Sequence, residues 1–170
     1  YTGMLKTSFA DFGEYFKNLD GSEIPLGYLV SLSGDGVRKS NEGEIPIGVV
    51  SGSAAIALGD SPFSWQGRYV TGDFGEPIYE TVTNSDGSEM LVRKENSDYN
   101  PDQVQIPRSE RPDGWTLVGL LGQVYVRVDE NVVPGDYIVS GEGGIGVSTN
   151  TETKIRVMRI TKQFSNGYAI

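Results

Sequence analysis

The chain carries 23 glycines in 170 residues, a turn-rich profile, and helical periodicity is hard to find along it. Between the glycines lie short runs rich in β-branched and aromatic residues, the pattern of strands joined by tight turns. Gly27-Tyr28-Leu29-Val30-Ser31-Leu32 reads as a strand closed by the hairpin-type turn Ser33-Gly34-Asp35-Gly36. Ile47-Gly48-Val49-Val50 reads as another, entered through Pro46, which suits the start of a strand. Ile78–Val82 and Met90–Arg93 flank a further hairpin signal, Asn84-Ser85-Asp86-Gly87. Val118 to Val128 is the most apolar stretch, and its glycines predict a bulge or a close backbone approach. Val132–Val139 reads as turn plus strand, and Ile155–Ile160 as a strand with Lys154, Arg156 and Arg159 turned partly outwards. Only Met4–Lys17 leaves space for a turn or two of helix, and Gly13 weakens it. The expected fold is mainly β: a single β-rich domain with short helical segments, residues 11–170, preceded by a lead-in over residues 1–10.

The length and the 37% of apolar residues suffice for one domain with a sizeable core. Fourteen basic against 23 acidic residues give a net charge of −9, which repels phosphate backbones and anionic lipid. Neither a nucleic-acid nor a membrane partner is expected. The longest apolar run, Ala54–Leu58, falls far short of the roughly 20 residues that span a bilayer. Tyr1–Ala10 lacks the apolar region of a signal peptide, and the chain, without an initiator methionine, reads as a piece of something longer.

Histidine and cysteine are absent, which excludes Ser-His-Asp, Cys-His and histidine-zinc chemistry within one chain. Carboxylates, a Ser/Thr-Lys pair or tyrosine remain. Lys6 with Ser8 and Lys39 with Ser40 are poorly placed for a dyad, because on an extended segment neighbours point to opposite faces and residues two apart stand side by side without converging. Gly141-Glu142-Gly143-Gly144-Ile145-Gly146 matches a phosphate-loop pattern in letters only. Val147-Ser148-Thr149 after it reads as extended rather than helical, so the segment is expected to be a glycine-rich hairpin. Asp20-Gly21-Ser22-Glu23 and Asp86-Gly87-Ser88-Glu89 lack calcium-loop spacing and read as turns.

The segment Ser8-Phe9-Ala10-Asp11-Phe12-Gly13-Glu14-Tyr15-Phe16 sets two carboxylates three residues apart among aromatics. If Phe12, Tyr15 and Phe16 turn inwards, Asp11 and Glu14 are drawn towards a dry environment, where carboxyl pKa values rise towards neutrality. The same spacing fits a helix start, with Asp11 at the N-cap and Glu14 at N3, and residues alone favour that cap. Glu95–Gly114, polar and holding Pro101, Pro107 and Pro112, is expected to be a long loop that is functional or wraps a partner. Arg108 and Arg111 on it read first as surface ion pairs, and second as an anion clamp.

Asp11-Phe12-Gly13-Glu14-Tyr15-Phe16 followed by Gly27-Tyr28-Leu29-Val30 resembles the start of the autoproteolytic intramolecular chaperone domain of phage fibres. Trp65–Tyr69, Tyr99-Asn100-Pro101, Ile106–Pro112 and Val118–Val124 fit the same family, and the run from Ile106 to Val124 is the most specific. The resemblance covers nearly the whole chain. It implies a domain at the C-terminus of bacteriophage tail spikes or neck appendages, in a virion precursor assembled in the host cytoplasm. Such a domain helps three chains assemble and then cuts itself off. Carried over to this sequence, it implies cleavage at Ala10-Asp11 by the acidic pair Asp11 and Glu14. Glu14 would be the general base, Asp11 a local acid or a source of strain, and Arg108 or Arg111, from the same or a neighbouring chain, would stabilise the oxyanion. An acyl shift is not expected at that bond, because Asp11 has no hydroxyl. No cofactor is required; ATP-assisted release occurs as an idea for this family, but no phosphate-binding motif here supports it. The alternatives are a non-catalytic trimerisation or receptor-binding tip, and a carbohydrate-binding domain using Trp65 and Trp115.

Overall fold

The computed structural model describes residues 8–60 and 67–170. The mainly β expectation holds: ten strands are found among the described residues, and helix is confined to two 3-10 turns, Arg108–Glu110 and Glu142–Gly144. Within the chain two compact units separate, Tyr1–Asp60 with Arg108–Ile170, and Ser61–Pro107.

The larger unit is built on a six-stranded sheet in the order β3-β2-β4-β8-β1-β5. Its strands are β1 (Asp11–Lys17), β2 (Leu29–Ser33), β3 (Gly36–Lys39), β4 (Gly48–Val50), β5 (Ile56–Leu58) and β8 (Trp115–Gly122). All pairings are antiparallel except β1 with β5. The turn read at Ser33–Gly36 closes the β2–β3 hairpin, with Gly34 in the left-handed region at φ +56°. One sheet face carries Val30, Val37, Val50 and Val118 into a core completed by Ile24 and flanked by Phe16, Tyr28 and Ile47. Each fully buried valine there contributes about 1.5–3 kcal/mol.

Two expectations are corrected at β1. Asp11–Lys17 is a strand, not the end of a helix, so the N-cap reading of Asp11 and Glu14 falls; residues 4–7 of that expected helix lie outside the described residues. The aromatics and Gly13 favour pairing with the long apolar β8 over an isolated helical turn. Phe12 does not turn inwards; it is 47% exposed.

A second core, Val128, Val132, Ile138 and Ala169 with Val126, Ile155, Val157 and Ile160, packs around the hairpin of β9 (Tyr137–Ser140) and β10 (Gly146–Thr149). The Gly141–Gly146 segment is the expected glycine-rich connection, with Gly143 and Gly144 at φ +63° and +82°. Val124–Val128 and Ile155–Ile160 are not regular strands, contrary to expectation. Val128 pairs with Gly146 and Ala169 by single bridges, and no ladder extends from either. Ile155 and Val157 keep an inward alternation that breaks before Ile160, and only Arg156 forms a bridge, to Tyr137.

The smaller unit holds the hairpin of β6 (Tyr79–Thr83) and β7 (Glu89–Arg93), turned at Asn84–Gly87 as the sequence predicts. The polar stretch from Glu95 is turn-built: Tyr99 N–H bonds Asn96 and Gln103 N–H bonds Asn100 before Arg108–Glu110 re-enters the larger unit.

Candidate functional site

The boundary between exposed and buried chain falls on the Ala10–Asp11 peptide. Ser8, Phe9 and Ala10 are exposed, whereas Asp11 is fully buried. Both Asp11 carboxyl oxygens are buried without a hydrogen-bond partner, a costly state that native proteins seldom keep without a use for it. The residue is fixed at the head of β1: its carbonyl accepts from the Ala55 N–H at 2.8 Å, and it pairs with Gly122 of β8. Room for its side chain comes from Gly119, where a Cβ would lie 3.0 Å from Asp11 Oδ2 and 2.7 Å from Val124.

Glu14 is not brought beside Asp11. On a strand, residues three apart point to opposite faces, and here Asp11 is buried while Glu14 is exposed. The one irregularity in the ladder leaves this alternation intact. Phe12 faces Leu121 and Gly13 faces Gly119, so the extra residue is Leu120 of β8. Around Glu14 the same face carries exposed apolar side chains: Phe12, its partner Leu121, and Leu58 opposite Glu14 itself.

Arg108 and Arg111 gather at the other end of β1. Arg108 stacks on Trp115 at 3.9 Å from the ring centre, Arg111 lies 5.8 Å from it, and Trp115 pairs with Lys17. Arg108 also lies against Gly59, beside the Tyr15 carbonyl, and five residues of strand separate Tyr15 from Ala10, about 16 Å, so within one chain neither guanidinium reaches the Ala10 carbonyl. Beside them, Ser109 donates from its N–H and its hydroxyl to the Asp60 carboxylate at 2.7 and 2.9 Å. Burial, and then the charge of Asp60, push the Tyr15 phenol up, against a hydrogen bond with Ser109. Neither arginine forms a carboxylate ion pair among the described residues, so the surface ion-pair reading gives way to stacking on Trp115. Arg108 covers part of the ring that the carbohydrate reading needed free, and Trp65 lies outside the described residues.

Sequence reasoning missed two residues at the junction. Gly122, at φ +107°, lies so close that a Cβ on it would sit 2.1 Å from the Ala10 oxygen. Gln123 donates its backbone N–H to that oxygen at 3.3 Å. The available signal was the glycine pattern of Val118–Val128, which predicted a close approach without saying to what. Among the described residues no group of three acidic side chains gathers to hold a metal ion.

Comparison with known proteins gives this geometry a context. The chain is 43% identical over 165 residues to the pre-neck appendage protein of Bacillus phage B103, covering 96% of this chain and 19% of that protein. It is 40% identical over 174 residues to the putative phage-related protein YobO of Bacillus subtilis (strain 168), covering 100% of this chain and 21% of that protein. The chain thus spans about a fifth of the length of the curated relatives it matches. Among solved structures, the pre-mature bacteriophage phi29 gene product 12 superposes with a TM-score of 0.84 at 39% identity, over 100% of this chain and 22% of that one. The C-terminal fragment of the same gene product gives 0.80 at 42% identity, over 94% of this chain and 96% of the fragment. A family model described as Peptidase_G2, IMC autoproteolytic cleavage domain, matches residues 1–170, and the chain therefore belongs to this family of self-cleaving peptidase domains.

Proposed function

We propose that this chain is the self-releasing chaperone end of a phage neck appendage or tail spike protein, promoting trimerisation of the fibre before it and then parting from it at Ala10–Asp11. The observation that carries the choice of bond is Asp11: a fully buried carboxyl with both oxygens unpaired, directly after an exposed residue. In the reaction, the oxygen of a water attacks the Ala10 carbonyl carbon while a Glu14 carboxylate takes the water's proton. The tetrahedral oxyanion collapses, the C–N bond breaks, and the Asp11 carboxyl group gives a proton to its own nitrogen. Ala10 leaves as a carboxylate and Asp11 as a new N-terminus. Water and the side chains of the assembled copies suffice for every step.

Glu14 acts on a neighbouring chain. Four residues of strand put its Cα about 13 Å from Ala10, beyond the reach of its own side chain. The exposed Phe12, Leu58 and Leu121 around it favour a second copy of the chain as the covering partner. Arg108 and Arg111 act on a neighbour's bond or not at all. This arrangement supports a homotrimer in which cutting waits for assembly. The relatives' names as pre-neck appendage proteins support a place in the precursor of a virion neck or tail structure.

Mixed assemblies of the parent protein test the reading. One chain carries Glu14→Gln with its bond intact; the other keeps Glu14 but has Asp11→Ala to block its own cut. Alone, neither is cut. Together, the Glu14→Gln chain is cut, and mass spectrometry finds Asp11 at the new N-terminus. Efficient cutting of Glu14→Gln alone would remove Glu14 from the mechanism, and a different N-terminus would move the bond.

A further inference from the structure

With the arginines held beside Trp115 and Gly59, several strand residues along β1 from the junction, the developing negative charge on the Ala10 oxygen needs another donor in its own chain. We propose that the backbone N–H of Gln123, carried to the scissile carbonyl by Gly122, is that oxyanion donor. The inference rests on the reading of Ala10–Asp11 as the bond that is cut.

At 3.3 Å the Gln123 N–H already points at the Ala10 oxygen, but the bond is long for an amide pair. A donor placed for catalysis is expected to be loose on the ground-state carbonyl and to tighten as the carbon becomes tetrahedral and its oxygen moves. An ordinary ladder bond at the end of β1 and β8 would explain the contact alone. It does not explain Gly122. That residue turns to φ +107°, and a Cβ there would meet the Ala10 oxygen at 2.1 Å, the Asp11 Cα at 2.9 Å and the Ala10 carbonyl carbon at 3.1 Å. Only glycine lets the β8 backbone close on the reacting peptide, and the position costs more than a plain strand end would require. Beyond this turn the chain leaves the sheet, so Gln123 has no partner on a further strand to hold its N–H elsewhere. The Ala55 N–H on the Asp11 carbonyl at 2.8 Å holds the next peptide, Asp11–Phe12, and so fixes the residue that follows the bond. Gly122 is a positioning residue; the Gln123 amide is the group that touches the reacting atoms. Its side chain is exposed and plays no part.

The test uses the full-length parent protein with three changes. Gly122→Ala is expected to slow self-cleavage by about 100-fold or more, the size of effect seen when one oxyanion donor is lost. Replacing Gln123 by its α-hydroxy acid, introduced by suppression of a stop codon, swaps the N–H for an ester oxygen and leaves the backbone path unchanged; it is expected to slow cleavage by a similar factor. The same ester swap at Glu130, an exposed turn residue away from the junction, is expected to leave the rate unaltered. Hydrogen exchange at the other paired amides of β1 and β8 and the melting temperature of the uncut protein report whether each variant keeps its fold, and a Gly122→Ala protein that fails to fold leaves the decision to the ester. Ester cleavage within threefold of the normal rate, with Asp11 still the new N-terminus, overturns the inference and leaves the bond assignment standing. A new N-terminus other than Asp11 in the unaltered protein overturns the bond assignment itself, and this inference with it.

Discussion

Two buried polar side chains stand at the two ends of β1, and they are treated in opposite ways. Asn18, just past the strand, is 4% exposed and fully engaged. Its amide donates to the carbonyls of Ser22, Pro112 and Asp113 at 3.1, 2.9 and 3.2 Å, and its oxygen accepts from the Thr116 hydroxyl at 2.5 Å. Asp11, at the start of the strand, is as deeply buried and has no partner for either carboxyl oxygen. A satisfied polar group ties together the loops that meet it, and removing it leaves orphaned carbonyls behind. An unsatisfied one lowers the stability of the fold, and its persistence at the bond we assign to cleavage points to reaction rather than architecture. One strand thus has an end that holds the fold and an end to which we assign the chemistry.

The largest effect expected from this contrast is on cleavage. Asp11→Ala should reduce self-cutting of the parent protein by at least about 100-fold while leaving the domain as stable or slightly more stable, because an unpaired buried carboxyl disappears. Densitometry of cut and uncut bands, together with urea melts, measures both; a domain made much less stable would show that Asp11 has a structural partner after all.

Asn18→Ala should do the reverse. Losing the two amide N–H donors that three carbonyls share, and the acceptor of the buried Thr116 hydroxyl, is expected to cost about 3 kcal/mol, read as a lower urea midpoint with an unchanged slope. Cleavage by the fraction that remains folded should proceed at the normal rate.

Gly119→Ala sharpens the comparison from the opposite strand. Its Cβ would press on Val124 and on Asp11 Oδ2, so the expected loss is about 1–3 kcal/mol in the wild-type background. Combined with Asp11→Ala, which removes one of the two obstructing groups, the loss should shrink; additive losses would mean that the two residues do not share the space.

The smallest effect concerns an ion pair away from both ends. Arg38 holds the Glu44 carboxylate by bonds of 2.7 and 3.0 Å, and this, with the Asn41 N–H, brings the Glu44 pKa down to about 2. A depressed carboxyl pKa stabilises the fold above the unfolded value, here 4.5, and that contribution fades as pH falls towards about 2. Glu44→Gln should therefore be slightly less stable than the unaltered chain at pH 7. The difference should vanish at pH 2, as thermal melts across that range would show.

The hairpins at Ser33–Gly36 and Asn84–Gly87 and the strands at Leu29–Ser33 and Gly48–Val50 were legible in the sequence because they rest on local chemistry: turn residues that tolerate positive φ and β-branched runs between them. The mainly β class follows from the same facts, and so did the motif that carries the family resemblance. Val124–Val128 and Ile155–Ile160 look like strands by the same rules, yet their direction depends on which neighbours they cross, and single bridges replaced ladders there. The acidic pair shows the limit most plainly. Three residues of spacing place two carboxylates on one side of a helix and on opposite sides of a strand, and only pairing with β8 decided between them. That pairing also joined Ala10 to Gly122 and Gln123, more than a hundred positions further along the chain. Sequence determines which backbone conformations each residue accepts; which distant backbone closes on the Ala10 carbonyl is settled by the packing of the whole sheet, because an N–H acts only on what the fold puts within hydrogen-bond reach.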